Sequence, residues 1–194
     1  MPGLDVRLNP MPSKHLADFK LKLLDFDEII SARDAICPAG AGKPAQRKGA
    51  AVIRGGVVLL SAAFEAYVED VFDQAIDSLY AAQPEADRKA LKKETSGKLN
   101  NASSWKVNLL YATIGLPWIM SDPTFHWQKF TNASVQKTLE DVITARNRIA
   151  HRGLFSVRRD TAVKWRGFLE KLTERFDDRI KAYLLQRTGA APWP

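Results

Sequence analysis

Ser134-Val-Gln-Lys-Thr-Leu-Glu-Asp-Val-Ile-Thr-Ala-Arg146-Asn-Arg-Ile-Ala-His151 is the stretch from which both the fold class and the candidate chemistry are read. Val135, Leu139, Val142 and Ile149 stand at offsets 0, 4, 7 and 14, one stripe on a helix. Ser134 is the expected N-cap of that helix and Gly153 its expected stop. Offset 11, where the stripe asks for another apolar side chain, holds Arg146. A guanidinium buried without a partner is strongly unfavourable, so the pattern asks for an anion, a carboxylate or a subunit boundary beside it. Five residues later stands His151, the side-chain type that exchanges protons near neutral pH.

The helical period recurs on both sides of this segment. Leu16, Phe19, Leu23, Phe26 and Ile30 predict a first helix over 13–36, preceded by a proline-containing loose arm over 1–13. Pro38 to Pro44 reads as a flexible connector, and its Gly42-Lys43 lacks the flanking residues of a phosphate-binding loop. A long second helix over 50–82 is apolar around much of its circumference, as the centre of a bundle should be. It also carries Glu65, Glu69, Asp73 and Asp77 at four-residue steps, a row expected to be a solvated face. Gly55-Gly56 marks either a close helix contact or a ragged helix start. Residues 83–104 read as a polar, mobile insertion holding one short helix, with the basic run Arg88 to Lys93 solvated. Ser103 or Ser104 caps a short helix ending near Ile114, and the aromatic stretch 117–131 packs beneath a loop. Trp165, Leu169, Leu172, Phe176 and Tyr183 stripe a last helix over 160–187. With no strand pattern and no repeat, the expectation is a single all-α domain over 1–194, a bundle of four main helices plus minor ones.

Composition narrows the function classes. Hydrophobic content of 45% and charged content of 26% are those of a soluble globular protein. The longest apolar run, Val57 to Phe64, is interrupted by Ser61 and is short for a membrane span, and no secretory signal is visible. One cysteine, Cys37, fits a reducing cytoplasm, and no Cys/His cluster has zinc spacing. The net charge of +7 lies entirely in residues 142–194, where 12 Lys+Arg meet 5 Asp+Glu; residues 1–141 balance at 17 each. An anionic partner such as nucleic acid and a merely solvated basic surface both fit that field.

On a helix, residues five apart are about 7.5 Å apart along the axis and about 140° apart around it. Arg146 and His151 of one rigid helix therefore do not converge on one bond, whereas two copies facing across a twofold axis could supply both groups. Asn147 lies four residues before His151, close enough to orient the imidazole. Arg146-Asn147-x-x-x-His151 resembles the Arg-x4–6-His signature of HEPN domains. The stretch Ile143 to Gly153 is similar to the RiboL-PSP group of that superfamily, as is the earlier helix segment Leu59 to Asp70.

The resemblance implies a HEPN-like helical bundle that dimerises through its motif helices. It also implies a metal-independent endoribonuclease without a cofactor, of the kind found in toxin–antitoxin and phage-defence systems. His151 would be the general base or acid, Arg146 would stabilise charge on the phosphoryl oxygens, and Asn147 would orient the histidine or a phosphate. Arg148 and Arg152 would hold the RNA backbone, and Glu65 is a supporting candidate that could partner Arg146 from the second helix. The implied partners are RNA, a second copy of the chain, and a cognate antitoxin or regulatory protein, with no membrane. Three alternatives remain: a HEPN module that binds nucleotide, RNA or protein without cutting, a purely structural role in which Arg146 pairs with Glu65 or Glu69 while His151 caps the helix end, and a basic DNA-binding helical protein, for which the sequence offers no recognition-helix motif.

Overall fold

In the computed structural model, which describes residues 11–128, 130–152 and 155–193 and of Arg152 the backbone alone, the apolar stripes become helices. In chain order these are α1 (Lys14–Ile36), α2 (Lys43–Leu79), α3 (Glu85–Glu94), α4 (Ser104–Ala112), α5 (Asn132–Arg152) and α6 (Arg159–Thr188). Short 3-10 turns stand at Ser96–Lys98, Ile119–Ser121 and Pro123–Phe125, and no strand occurs among the described residues. α1, α2, α5 and α6 are the four main helices and form an all-α bundle around α2, which packs against each of the other three. Their buried residues make one continuous core centred on Phe64, Tyr67, Phe72, Tyr111 and Phe176. Phe176 is its hub, edge-on to Tyr67 and Tyr111 and stacked on Phe125 at 5.8 Å.

By length and mean hydropathy α2 could cross a bilayer, but half of that apolar window is buried in the bundle. It approaches α1 closely at Gly56, where a Cβ would stand 3.1 Å from Ile29 Cγ2 and 3.2 Å from Phe26 Cε2. Gly55 faces open space, so of the glycine pair only Gly56 makes a helix contact.

The buried polar groups tie the chain ends to the bundle. Ser13 caps α1 by accepting from the Leu16 amide at 3.0 Å. Its own amide donates to Asp177 Oδ2 of α6 at 2.9 Å, and its hydroxyl to Oδ1. The Tyr67 hydroxyl donates to the Thr173 carbonyl at 2.9 Å. Asp177 is 2% exposed, and burial raises its carboxyl above the usual range despite these donors. Ser13 therefore does not belong to a loose arm, while residues 1–10 of that expected arm lie outside the described residues.

Several boundaries differ from expectation. α2 begins at Lys43, about two turns before Ala50, because Pro44 in its first turn lacks only an N–H that would be unpaired anyway. The N-cap of α5 is Thr131, and Ser134 sits inside the first turn. The Ser134 amide donates to Thr131 Oγ1 and the Thr131 amide to Ser134 Oγ, a reciprocal box that the Ser134 assignment missed by one turn. The stop expected at Gly153 lies outside the described residues.

The 83–104 segment is docked against α2. Arg88 Nε and Lys92 Nζ of α3 reach the Asp77 carboxylate at 3.2 and 2.7 Å, and Ser96 donates to Asp73. The α2 acidic row is accordingly half-buried along its whole length, not a solvated face. The spacing was read correctly, but its environment depends on α3, which no local pattern places there.

Candidate functional site

The motif occupies the last two turns of α5. Val135, Leu139, Val142, Ile143 and Ala145 are buried and fix which side of α5 faces the core, and Ile149 packs at its edge. That rotation leaves Arg146 and Asn147 half-buried at the rim and Arg148 and His151 exposed. The offset where a core side chain was due thus lies at the boundary of the core, where the guanidinium keeps its hydration in part.

Arg146 Nη1 donates to Asn147 Oδ1 at 3.1 Å, and no carboxylate approaches Arg146 among the described residues. Its expected pairing with Glu65 or Glu69 is not made: neither acid has an ion pair there. Asn147 serves the arginine and makes no hydrogen bond to His151, so its expected role of orienting the imidazole is not met in this chain. Asn147 and Arg146 are adjacent in sequence, and the long arginine side chain folds back to reach the amide before the imidazole does. The exposed Arg148 guanidinium lies over the Phe155 ring, its Cζ 5.1 Å from the centroid. The Arg152 side chain lies outside the described residues.

Glu65 and Glu69, half-buried on α2, form the electronegative element nearest in character to a partner for the motif. Burial, then the Glu65, Asp70 and Asp73 charges, push the Glu69 carboxyl up to about 7. Acidic groups held together without a cation favour the protonated form, and an approaching guanidinium would reverse that. No group of three or more His, Cys, Asp or Glu side chains is gathered to hold a metal among the described residues.

Just past the motif the chain enters a cavity of about 690 Å³, lined by Arg33, Asp34 and Cys37 of the α1 end, by Gln46 and Gly49 of α2, and by Val157 to Asp160. Arg159 grips Asp34 with Nε at 2.9 Å and Nη2 at 2.7 Å, and Arg33 adds Nη1 at 2.8 Å. These two guanidiniums, Arg159 foremost, hold the Asp34 carboxyl at about 2. The ion pair fastens the start of α6, and with it the chain leaving the motif, to α1. Arg158, exposed beside it, has no such partner among the described residues.

Arg146, Asn147 and His151 thus lie on the last turns of one helix, as their spacing predicts. The Arg159–Asp34–Arg33 cluster was not legible in the sequence, since Arg159 stands 125 residues from Asp34 and no local spacing links them. Compared with known proteins, the chain matches the family model described as RiboL-PSP-HEPN over residues 22–182. No curated protein and no solved structure matches it.

Proposed function

The chain belongs to the RiboL-PSP-HEPN family, and from that premise we propose that it is an endoribonuclease working at a site shared by two copies. The observation that carries this reading is Arg146: half-buried, bonded to its neighbour Asn147, and unpaired by any carboxylate among the described residues, beside an exposed His151 on the same helix end. A guanidinium held ready in that way suits a phosphate that arrives from outside. Because the two side chains diverge by about 140° on one helix, a second protomer would bring the complementary group to the same linkage.

In the reaction the 2′-hydroxyl oxygen of a ribose attacks the adjacent phosphorus. Its proton passes to one His151 imidazole as the new O–P bond forms. The bond from phosphorus to the 5′-oxygen of the next nucleotide breaks, and that oxygen takes a proton from the second His151. The products are a 2′,3′-cyclic phosphate and a 5′-hydroxyl, with no other reactant. Arg146 donates to the non-bridging oxygens as charge builds on them, Asn147 holds the arginine, and Arg148 and Arg152 contact the flanking backbone. DNA lacks the attacking group and is spared. The setting would be the cytoplasm, and the physiological role that of a toxin or phage-defence nuclease restrained by an antitoxin or regulatory protein.

A second reading is a module that binds RNA, nucleotide or protein without cutting, favoured by the lack, among the described residues, of a hydrogen bond that would fix the His151 tautomer. Purified protein incubated with single-stranded RNA in a chelator separates the two. The ribonuclease reading requires cyclic-phosphate ends that His151→Ala and Arg146→Ala abolish; intact RNA bound by a stable dimer sinks it.

A further inference from the structure

We propose that the first turns of α2, from Lys43 to Arg54, form a second RNA-backbone surface that holds the strand being cut at the motif; this rests on the ribonuclease reading above. Lys43, Arg47, Lys48 and Arg54 line one open groove of about 730 Å³ floored by Pro44 and Ala51. Their spacing places all four within an arc of about 140° and along about 16 Å of helix axis, room for several phosphates. Residues 35–64 contain these four cations and no Asp or Glu. The neutral sum over residues 1–141 hides this, because the acids of that half sit mainly on α1, α3 and the later turns of α2.

None of the four has a carboxylate partner among the described residues. Several cations elsewhere are neutralised: Lys20 by Glu174, Arg166 by Asp27 and Arg179 by Asp122. Four exposed or half-buried cations left together repel one another, a cost that a polyanion on the surface removes by releasing its own counterions. Like charge rules out a second copy of the same face as the occupant. RNA is the occupant the placement favours, because the opposite side of these turns borders the cavity that Val157 and Arg158 line just beyond the motif helix. A strand leaving the motif past Arg158 would run from that cavity onto the cationic turns of α2.

The test uses the full chain. Binding is measured in a His151→Ala background, by fluorescence anisotropy of a labelled single-stranded RNA of about 25 nucleotides across a salt series. The quadruple variant Lys43→Gln, Arg47→Gln, Lys48→Gln, Arg54→Gln keeps good helix formers at solvent-facing positions, so the fold survives. At about 0.7 in slope per lost single-strand phosphate contact, the salt dependence of log Kd falls by about 2 to 3 and Kd rises at least about tenfold at 0.1 M salt. The same four changes in the His151 protein leave cleavage of dinucleotides, too short to reach α2, within about twofold. Lys14→Gln with Lys22→Gln, unpaired cations of α1, leaves RNA binding unchanged. Unaltered Kd and slope in the quadruple variant overturn the proposal, as does loss of binding to vesicles of anionic lipid with RNA affinity intact. RNA binding that depends on the four cations, in a wild type that cuts neither RNA nor dinucleotides, upholds this surface and refutes the ribonuclease reading alone.

Discussion

Replacing Glu69 with glutamine removes a carboxylate whose ionisation the fold opposes near neutral pH. Its carboxyl titrates near 7 in the folded chain against an ordinary 4.5, because burial and the Glu65, Asp70 and Asp73 charges disfavour the anion. Between those two pH values the folded state holds a proton that the unfolded chain has released. Stability from this group is therefore fully present below 4.5 and is lost as pH rises through about 7. The unscreened limit is about 3.4 kcal/mol, from about 1.36 kcal/mol per pH unit over the interval. Glu69 is only half-buried, so water screens most of this and about 1 kcal/mol is the expected size. Glutamine is isosteric with the protonated acid. Urea unfolding of both proteins from pH 4.5 to 8.5 should show near-equal stability at the acid end and a Glu69→Gln advantage of about 1 kcal/mol at pH 8. Equal stabilities at pH 8, or an advantage that shrinks as pH rises, would refute the reasoning. A Glu69 carboxyl found ionised at pH 6 would instead mean that a cation reaches the acidic row in solution.

Other perturbations follow from the packing. Gly55→Ala should stabilise by about 0.5–1 kcal/mol, since its Cβ meets nothing within 4 Å, and thermal melts should rise accordingly. Gly56→Ala should destabilise by about 1–3 kcal/mol, because the added methyl presses on Phe26 and Ile29 in the same melts. Asp177→Ala strips the acceptor from the Ser13 amide and hydroxyl in the core and should cost about 2–3 kcal/mol, read by denaturant midpoint. His151→Ala should lower RNA cleavage by about 10²–10⁴-fold while leaving melting temperature within a degree or so, because the side chain is exposed and has no hydrogen bond among the described residues. A large stability loss in that variant would return the histidine to a structural role.

The four long helices, their inward faces and the placing of Arg146 and His151 at the end of one of them were legible in the chain. Apolar side chains at helical spacing must bury one face, and that requirement is local: Leu16 to Ile30 and Val135 to Val142 turn inward as their order in the sequence demands. What each polar group meets is not local, and only the tertiary structure decided it. Asp77 became paired because α3 folds back over α2, Asp34 because the start of α6 arrives beside the end of α1, and Arg146 settled on its neighbour Asn147 because no acid reaches it. Periodicity reports which way a helix faces, since dihedral angles repeat along the chain; the partner of a charge depends on distances between segments far apart in sequence, which no repeat encodes.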